Sequence, residues 1–526
     1  MRRGLFAFLS LTTLACSLLP ERAAAQADRA RELAAQNEAL VDFKKALDER
    51  WSYRHANHAD FDGAIAALRK KIAAGISIDG LGVELHEILA LGIDGHSLVS
   101  GYTLPGVGHL PFLVEARGER FVAFNAERTA FLADGLPYLT KIDGRRLADW
   151  CRAVAALVPK GSPQYMRRHC ANRLRDLDYW RGALGVPKAD RVEVELAGAG
   201  GKTRRTLRLP VAPSAPSPGT WPRTPSRVLD GSIGYLRLAS MGKASSVGEI
   251  KRAMPLFRDT MGLVVDVRDN TGGERDALRL LYSYLAGPGD PPRVFMTGAY
   301  RLHEAHKEDH LAENHFMYRA SAKAWTEAER GAIAAFARTF EPEWRLPKGQ
   351  FSDWHYMVLG RLPDPDVYHY EKPVVVLMNA KCFSATDIFL AGLKGVKQVT
   401  LLGTPSSGGS AFTQDVALGA TPLVLRIGSM VSFQADGRLF DRHGVAPDVV
   451  VEPTPEYFIG GPDNVLAEAV ARLVGAKRGH GADSGRSPGG QVDRSRGGGG
   501  ENGRNQGEGR GVEGRDPVEQ RHQQSG

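Results

Sequence analysis

Apolar and polar positions alternate with different periods along the chain, and each period predicts a different kind of structure. In residues 27–91 the apolar positions recur at helical spacing, as at Phe61, Ile65, Leu68 and Ile72 and then at Leu81, Val83, Leu85, Ile88 and Leu89. A helical N-terminal region over 26–103 is expected from that periodicity. From 104 to 212 short β-rich runs take over, at 121–124, 138–142 and 192–196, separated by Gly and Asp turns. A Pro-rich stretch follows, and its 213–225 portion reads as a linker. Predicted strands at 233–238, 263–267, 374–378 and 449–451 then alternate with predicted helices at 247–258, 275–285 and 465–474, the pattern of an α/β core over 226–475. A long, polar, partly helical insertion at about 300–368 interrupts it. Residues 476–526 are Gly, Arg, Gln and Glu with almost nothing apolar, so a disordered tail is expected because such a segment cannot offset the entropy of ordering.

The first residues sharpen the picture. Met1-Arg2-Arg3, the apolar run from Leu5 to Leu19, and Ala23-Ala24-Ala25 form the charged, apolar and small-residue regions of a secretory signal over residues 1–25, so an exported protein, periplasmic or extracellular, is expected. No later run reaches the roughly 18 apolar residues of a membrane-spanning helix. Thr13-Leu14-Ala15-Cys16 resembles a lipoprotein cleavage box with Thr13 where Leu is usual, so Cys16 is expected to be an ordinary residue of the apolar run, with a lipid anchor as the alternative. The formal net charge of +8 comes from Lys and Arg interleaved with Asp and Glu, which describes a solvated surface and no nucleic-acid partner. In the tail, nine Lys or Arg face seven Asp or Glu, too balanced for an RNA-binding segment. Once the signal is removed, Cys151, Cys170 and Cys382 remain. Cys151 and Cys170 could form one disulfide in an oxidising compartment or stay as two buried thiols. No CxxC pair is present, so no structural zinc site is expected.

The chemistry gathers in a few segments. Residues 374–378 form an apolar strand that runs through Asn379-Ala380-Lys381-Cys382-Phe383 to Ser384-Ala385-Thr386-Asp387, where a helix begins. Such a corner exposes one side chain and aims the N–H groups of the helix start at the space before it, which places Ser384 as a nucleophile; a helix cap is the plain alternative. A second strand, 263–267, ends in Arg268-Asp269-Asn270-Thr271-Gly272-Gly273, whose backbone N–H groups could line an oxyanion site. The third segment is Asp94-Gly95-His96-Ser97 at the end of the helical region.

Taken together these segments resemble the carboxyl-terminal processing proteases and the tricorn core peptidases, and the chain is identified as a member of that serine peptidase superfamily, in its histidine-base branch. The matching residues are Gly234-Tyr235-Leu236-Arg237-Leu238, the run from Asp266 to Gly273, the run from Ser384 to Phe389, and Gly444-Val445-Ala446-Pro447-Asp448, in order across most of 226–460. The resemblance implies a crotonase-like α/β core and a peptidase that acts on polypeptides without a cofactor or catalytic metal. It also implies that Asp134-Gly135-Leu136-Pro137 and the run from Lys141 to Leu147 belong to a PDZ-like domain at 104–212, interrupted at about 156–188, a module that binds a peptide by adding it to a sheet edge.

One departure decides the mechanism. The processing proteases carry a catalytic lysine in Gly-x-Pro-x-x-Gly-Lys, but here the run is Gly403-Thr404-Pro405-Ser406-Ser407-Gly408-Gly409. With Gly409 in the lysine position the hydroxyl needs another base. The tricorn-type relatives supply a histidine from the segment before the PDZ-like position, which implies His96 as base. Asp441, ahead of the Gly444 run, is the implied supporting carboxylate, with Asp94 or Ser97 as alternatives because Gly95 stands where those relatives carry Ser. The implied oxyanion donors are the N–H of Ala385 and that of Gly272 or Gly273. Lys381 is the lysine in these segments that approaches Ser384, and it defines the rival base. In the insertion, His303, His306 and His310 fall at helical spacing beside Glu304, but His303-Glu304-Ala305-His306 is one residue short of H-E-x-x-H, so a solvated helix is expected there and no metal. A non-catalytic protein holding a peptide or an apolar ligand on the same fold is the competing function.

Overall fold

The computed structural model describes residues 10–481, apart from 220, 223, 305 and 307–309. Residues 476–481 of the expected disordered tail belong instead to helix Asn464–Gly481, and the rest of the tail lies outside the described residues, as do the charged residues at the start of the expected signal.

The apolar runs of the core form a six-stranded sheet. Its order is Val449–Val450, Val399–Gly403, Val374–Met378, Gly262–Asp266, Ile233–Arg237 and Arg227–Leu229. All neighbouring pairs are parallel except the last. A parallel sheet is covered on both faces, which is why its strands read as unbroken apolar runs. Val374 and Val376 join one core with Ile250, Leu281 and Ile388 from the helices Lys243–Phe257, Asp276–Leu285 and Ala385–Leu393. Val375 and Leu377 face the other way, onto Val465, Ala469 and Leu473 of the C-terminal helix Asn464–Gly481.

The expected N-terminal helical region consists of the helices Ser10–Glu49, Phe61–Ala74 and Ile78–Leu89. Asp60 and Ser77 cap the second and third by accepting from the N–H groups of Gly63 and Gly80, at 2.8 and 3.1 Å. None of the described helices is long and apolar enough to cross a membrane. Strand Leu98–Ser100 ends the region by pairing antiparallel with Val424–Gly428, in the register Leu98 to Arg426, which ties residues far apart in sequence to one place.

Residues 104–212 hold a sheet in the order Leu113–Arg117, Arg120–Phe124, Tyr138–Ile142, Arg191–Ala197 and Arg204–Pro210. The helices Leu147–Val154, Pro163–Arg173 and Leu177–Ala183 lie between its third and fourth long strands, which accounts for the expected interruption. Cys151 and Cys170 form a disulfide that joins the first two of these helices.

The insertion differs from its sequence expectation. Its strand His355–Leu359 pairs with Arg293–Tyr300, which pairs in turn with Met430–Gln434, so the segment completes a four-stranded antiparallel sheet. Among its described residues Leu311–His315 and Glu327–Thr339 are helical, the latter opened by a capping box of Thr326 and Glu329. The polar residues around His355–Leu359 hid a strand whose burial depends on partners distant in sequence.

Candidate active site

Ser384 sits where strand Val374–Met378 has turned and helix Ala385–Leu393 begins, with φ 60° and ψ −124°. A non-glycine residue in that region carries roughly 1–3 kcal/mol of strain, which the surrounding packing must hold. Here the turn is over-determined. The N–H of Phe383 donates to Asn270 O at 3.2 Å, and the Thr386 hydroxyl donates to Asn270 Oδ1 at 2.8 Å. Asp387 is buried one turn into the helix, where it accepts from the Ser406 hydroxyl and, at 3.1 Å, from the N–H of Gly408. Burial pushes its carboxyl far above the ordinary carboxylate range.

Strand Leu98–Ser100 carries His96 to this corner, and Nε2 lies 2.9 Å from Ser384 Oγ. The ring stacks on Phe383 with centroids 4.5 Å apart. Burial pulls the imidazole below its ordinary value, against the opposing charge of Asp94, so the neutral, proton-accepting form is favoured at neutral pH.

The two glycine departures have a steric cause. A Cβ at Gly409 would lie 2.3 Å from Phe383 Cε2 and 3.1 Å from His96 Cε1, so the stacked pair fills the room a lysine side chain would need. A Cβ at Gly95 would press at 3.1–3.2 Å on the rings of Phe383 and Tyr165. Lys381 does not reach the nucleophile as a base: its Nζ pairs with Glu115 at 2.5 Å and Asp269 at 3.1 Å. Burial works to lower its pKa, but these two carboxylates overcome that and raise it.

Behind His96 stand both candidate carboxylates. Asp94, His96 and Asp441 bring ligand-type atoms within 4.8 Å of one another, and this is the sole such group among the described residues. The carboxylates are already engaged. Asp94 accepts from Trp51 Nε1 at 3.0 Å, from the N–H of Gly428 at 2.8 Å, from the N–H of His96 at 3.0 Å and from the Ser97 hydroxyl. Asp441 accepts from Tyr53 Oη at 2.6 Å and from the N–H of Gly95 at 3.2 Å. These donors make Asp94 a backing charge for the imidazole and leave the two carboxylates little room for a cation. His96 Nδ1 is buried without a hydrogen-bond partner, so neither aspartate touches the ring directly. Burial first, and Asp94 second, push Asp441 up to about 7. Ser97 acts on Asp94 and not on His96.

The glycine turn lies against the nucleophile. A Cβ at Gly272 would meet Phe383 O and Ser384 Cβ at 2.8 Å, so only glycine fits at this approach, and its φ of 107° also demands glycine. The N–H of Gly272 is engaged by Asn270 Oδ1 at 2.9 Å. Among the described residues no acceptor is found for the N–H of Gly273 or of Ala385. Cys382 is buried with its thiol pushed far above the usual range, and it donates to Val267 O at 3.1 Å. In the insertion His306 stacks on His310 at 4.7 Å, while His315 is near enough to the site to feel the charge of His96.

Trp51 and Tyr53 shape the site without a motif that announces them, whereas Asn270 and Phe383 lie within the quoted runs and only their partners are new. Trp51 and Tyr53 in particular read as core aromatics between two helices, and only the folded chain brings Tyr53 to Asp441, 388 positions away.

A serine on a strand-turn-helix corner, an imidazole in hydrogen-bond contact and a glycine turn packed against them resemble the constellation of a serine hydrolase. The comparisons narrow this class. Residues 232–451 match the model of peptidase family S41, whose enzymes are serine peptidases. A carboxy-terminal-processing protease of Bartonella bacilliformis is 33% identical over 115 residues, which is 22% of this chain and 25% of that protein. The match thus spans about a quarter of the curated relative's length. The structure of mature CPAF complexed with lactacystin aligns with TM-score 0.57 and 16% identity over 85% of this chain and 98% of that one. The crystal structure of mature CPAF aligns at 0.56 and 16% over 86% and 99%. At this identity the alignments describe a shared mixed α/β fold.

Proposed function

We propose that the chain is an exported serine endopeptidase that hydrolyses peptide bonds of unfolded or C-terminally exposed polypeptides through Ser384 and His96. The observation that carries this is the 2.9 Å contact between His96 Nε2 and Ser384 Oγ at a strained corner against which the glycine turn packs at Gly272. Ser384 Oγ attacks the peptide carbonyl while His96 Nε2 takes its proton. The carbonyl oxygen, now negative, accepts from Gly273 and Ala385, each such donor being worth roughly 2.7–4 kcal/mol in the transition state. His96 returns the proton to the leaving amine, and water then resolves the acyl-enzyme by the same steps in reverse order. Asp94 acts through the field it imposes on the imidazolium that forms, raising the His96 pKa, while Asp441 holds the segment that carries the ring by accepting from the N–H of Gly95.

The parts assigned from sequence fit this activity. Residues 1–25 serve as the signal and 226–475 as a crotonase-like catalytic core, with 213–225 joining it to a PDZ-like domain at 104–212. The disulfide of Cys151 and Cys170 supports an oxidising compartment. An apolar cavity of about 840 Å³, lined by Phe121, Leu139, Leu147, Val154 and Met166, supports a polypeptide-holding role for the 104–212 segment. The test is hydrolysis of a reduced, unfolded polypeptide. Wild type is expected to fragment it and folded Ser384→Ala to leave it whole; equal fragmentation by both would place the chemistry elsewhere.

A further inference from the structure

Lys381, freed from any role as base, stands at the centre of a charge network that joins three segments of the chain. It lies three residues before Ser384, and Asp269 lies three residues before Gly272. Lys381 Nζ donates to Asp269 Oδ2 at 3.1 Å, linking the nucleophile turn to the glycine turn. Asn379 locks the same pair of turns. Its Nδ2 donates to Asp269 Oδ1 at 2.6 Å, and its Oδ1 accepts from the N–H groups of Asp269 and Lys381, both at 3.1 Å. Asp269 is held at a φ of 61°, a region that residues other than glycine enter uncommonly.

The third segment is strand Leu113–Arg117, which forms one edge of the 104–212 sheet. Its Glu115 accepts from Lys381 Nζ at 2.5 Å and from Arg128 at 3.0 Å. Arg128 and Glu115 are 2% and 10% exposed at their side chains and Lys381 26%, so the network is sheltered enough for its charges to matter. The four groups, two cations and two carboxylates, balance. Loss of Glu115 would leave Lys381 and Arg128 facing the one remaining carboxylate, Asp269, whose backbone leads into Gly272 and Gly273.

We propose that Glu115 is a positioning residue for the peptidase reaction: through Lys381 and Asp269 it sets the spacing of the nucleophile and glycine turns, so that the edge strand of the 104–212 sheet determines whether the oxyanion donors are aligned. This rests on the Ser384 and His96 reading above. Because the network touches neither substrate nor imidazole, its loss should fall on kcat, leaving KM and the acid limb of the pH profile in place. A small misplacement at a reacting centre costs on the order of 100-fold.

The test uses the full chain and a double-mutant cycle of Glu115→Gln and Lys381→Met. It is read as kcat and KM on an unfolded polypeptide and as the rate of Ser384 labelling by a fluorophosphonate, both per folded molecule. Glu115→Gln is expected to lower kcat and labelling roughly ten- to hundredfold, with KM within about twofold. In the Lys381→Met background the further loss from Glu115→Gln is expected to vanish, since the two act as one unit. A purely structural role would lower the unfolding midpoint and leave kcat per folded molecule unchanged, which overturns the proposal, as does strict additivity in the cycle. A folded wild type that does not label at Ser384 overturns the peptidase reading and the relay with it. Normal wild-type labelling together with an unaltered Glu115→Gln overturns the relay alone.

Discussion

Gly409→Ala should damage catalysis although the added group is a single methyl. Its Cβ would sit 2.3 and 2.7 Å from Cε2 and Cζ of Phe383 and 3.1 Å from His96 Cε1, closer than packed atoms tolerate. Neither ring has an easy retreat. Phe383 is held by its stack on His96 at 4.5 Å and lies 5.9 Å from the Tyr165 ring. Overpacking of a filled site costs about 1–3 kcal/mol. Part of that cost appears as a lower unfolding midpoint, and part as a turn of the imidazole away from Ser384. A displacement near 1 Å corresponds to roughly a hundredfold loss in kcat. The assay pairs thermal unfolding with kcat and KM on an unfolded polypeptide, in Gly409→Ala alone and combined with Phe383→Leu. The double variant should recover stability, because the flexible leucine can yield, but not full activity, because the imidazole loses its stacking partner. Folded Gly409→Ala with wild-type stability and kcat within about twofold of wild type would refute this packing argument. Gly409→Lys should likewise fail to create a lysine base.

The other expectations concern titration and the disulfide. Because burial lowers the His96 pKa, kcat/KM should rise with pH through an ionisation below the ordinary value of about 6.5 and be flat above it; a midpoint clearly above 6.5 would contradict a buried imidazole base. Asp441, pushed up to about 7, keeps its proton in the folded chain where the unfolded chain has released it, so its contribution to stability is full below about pH 4 and is lost as pH rises through about 7. Asp441→Asn should therefore flatten the fall in stability between those values in a pH series of denaturant unfolding, and an unchanged slope would contradict the assignment. Reduction of the disulfide of Cys151 and Cys170, 19 residues apart, should cost about 3 kcal/mol from the released loop, read by unfolding with and without a thiol. No loss on reduction would count against it.

What could be read from the sequence tracks how local each signal is. Strands Gly262–Asp266 and Val374–Met378 are legible because both their faces are buried, which makes them continuous apolar runs. Helix Ala385–Leu393 and its serine follow from the turn that precedes it. His96 and Ser384 are 288 positions apart, and no periodicity links them; only the resemblance of ordered motifs did. Strand His355–Leu359 lies within a polar insertion because its neighbours are hydrophilic, and it is buried by pairing with Arg293–Tyr300. Tyr53, Trp51 and Glu115 look like ordinary core or strand residues until the fold brings Asp441, Asp94 and Lys381 against them. Gly409 shows the reverse: its departure from the lysine pattern was plain in the sequence, while its cause, the ring pair that fills the space, is visible only in three dimensions.

Covalent labelling tests the nucleophile and its base together. Folded wild-type protein treated with a fluorophosphonate at neutral pH, then digested and mapped by mass, should carry one adduct, on Ser384. The adduct should be absent in Ser384→Ala, and its rate of formation should fall by roughly four orders of magnitude in folded His96→Ala, since nucleophile and base fail as a unit. Folded wild type that stays unlabelled, an adduct on another residue, or His96→Ala labelling at the wild-type rate would contradict catalysis by Ser384 and His96.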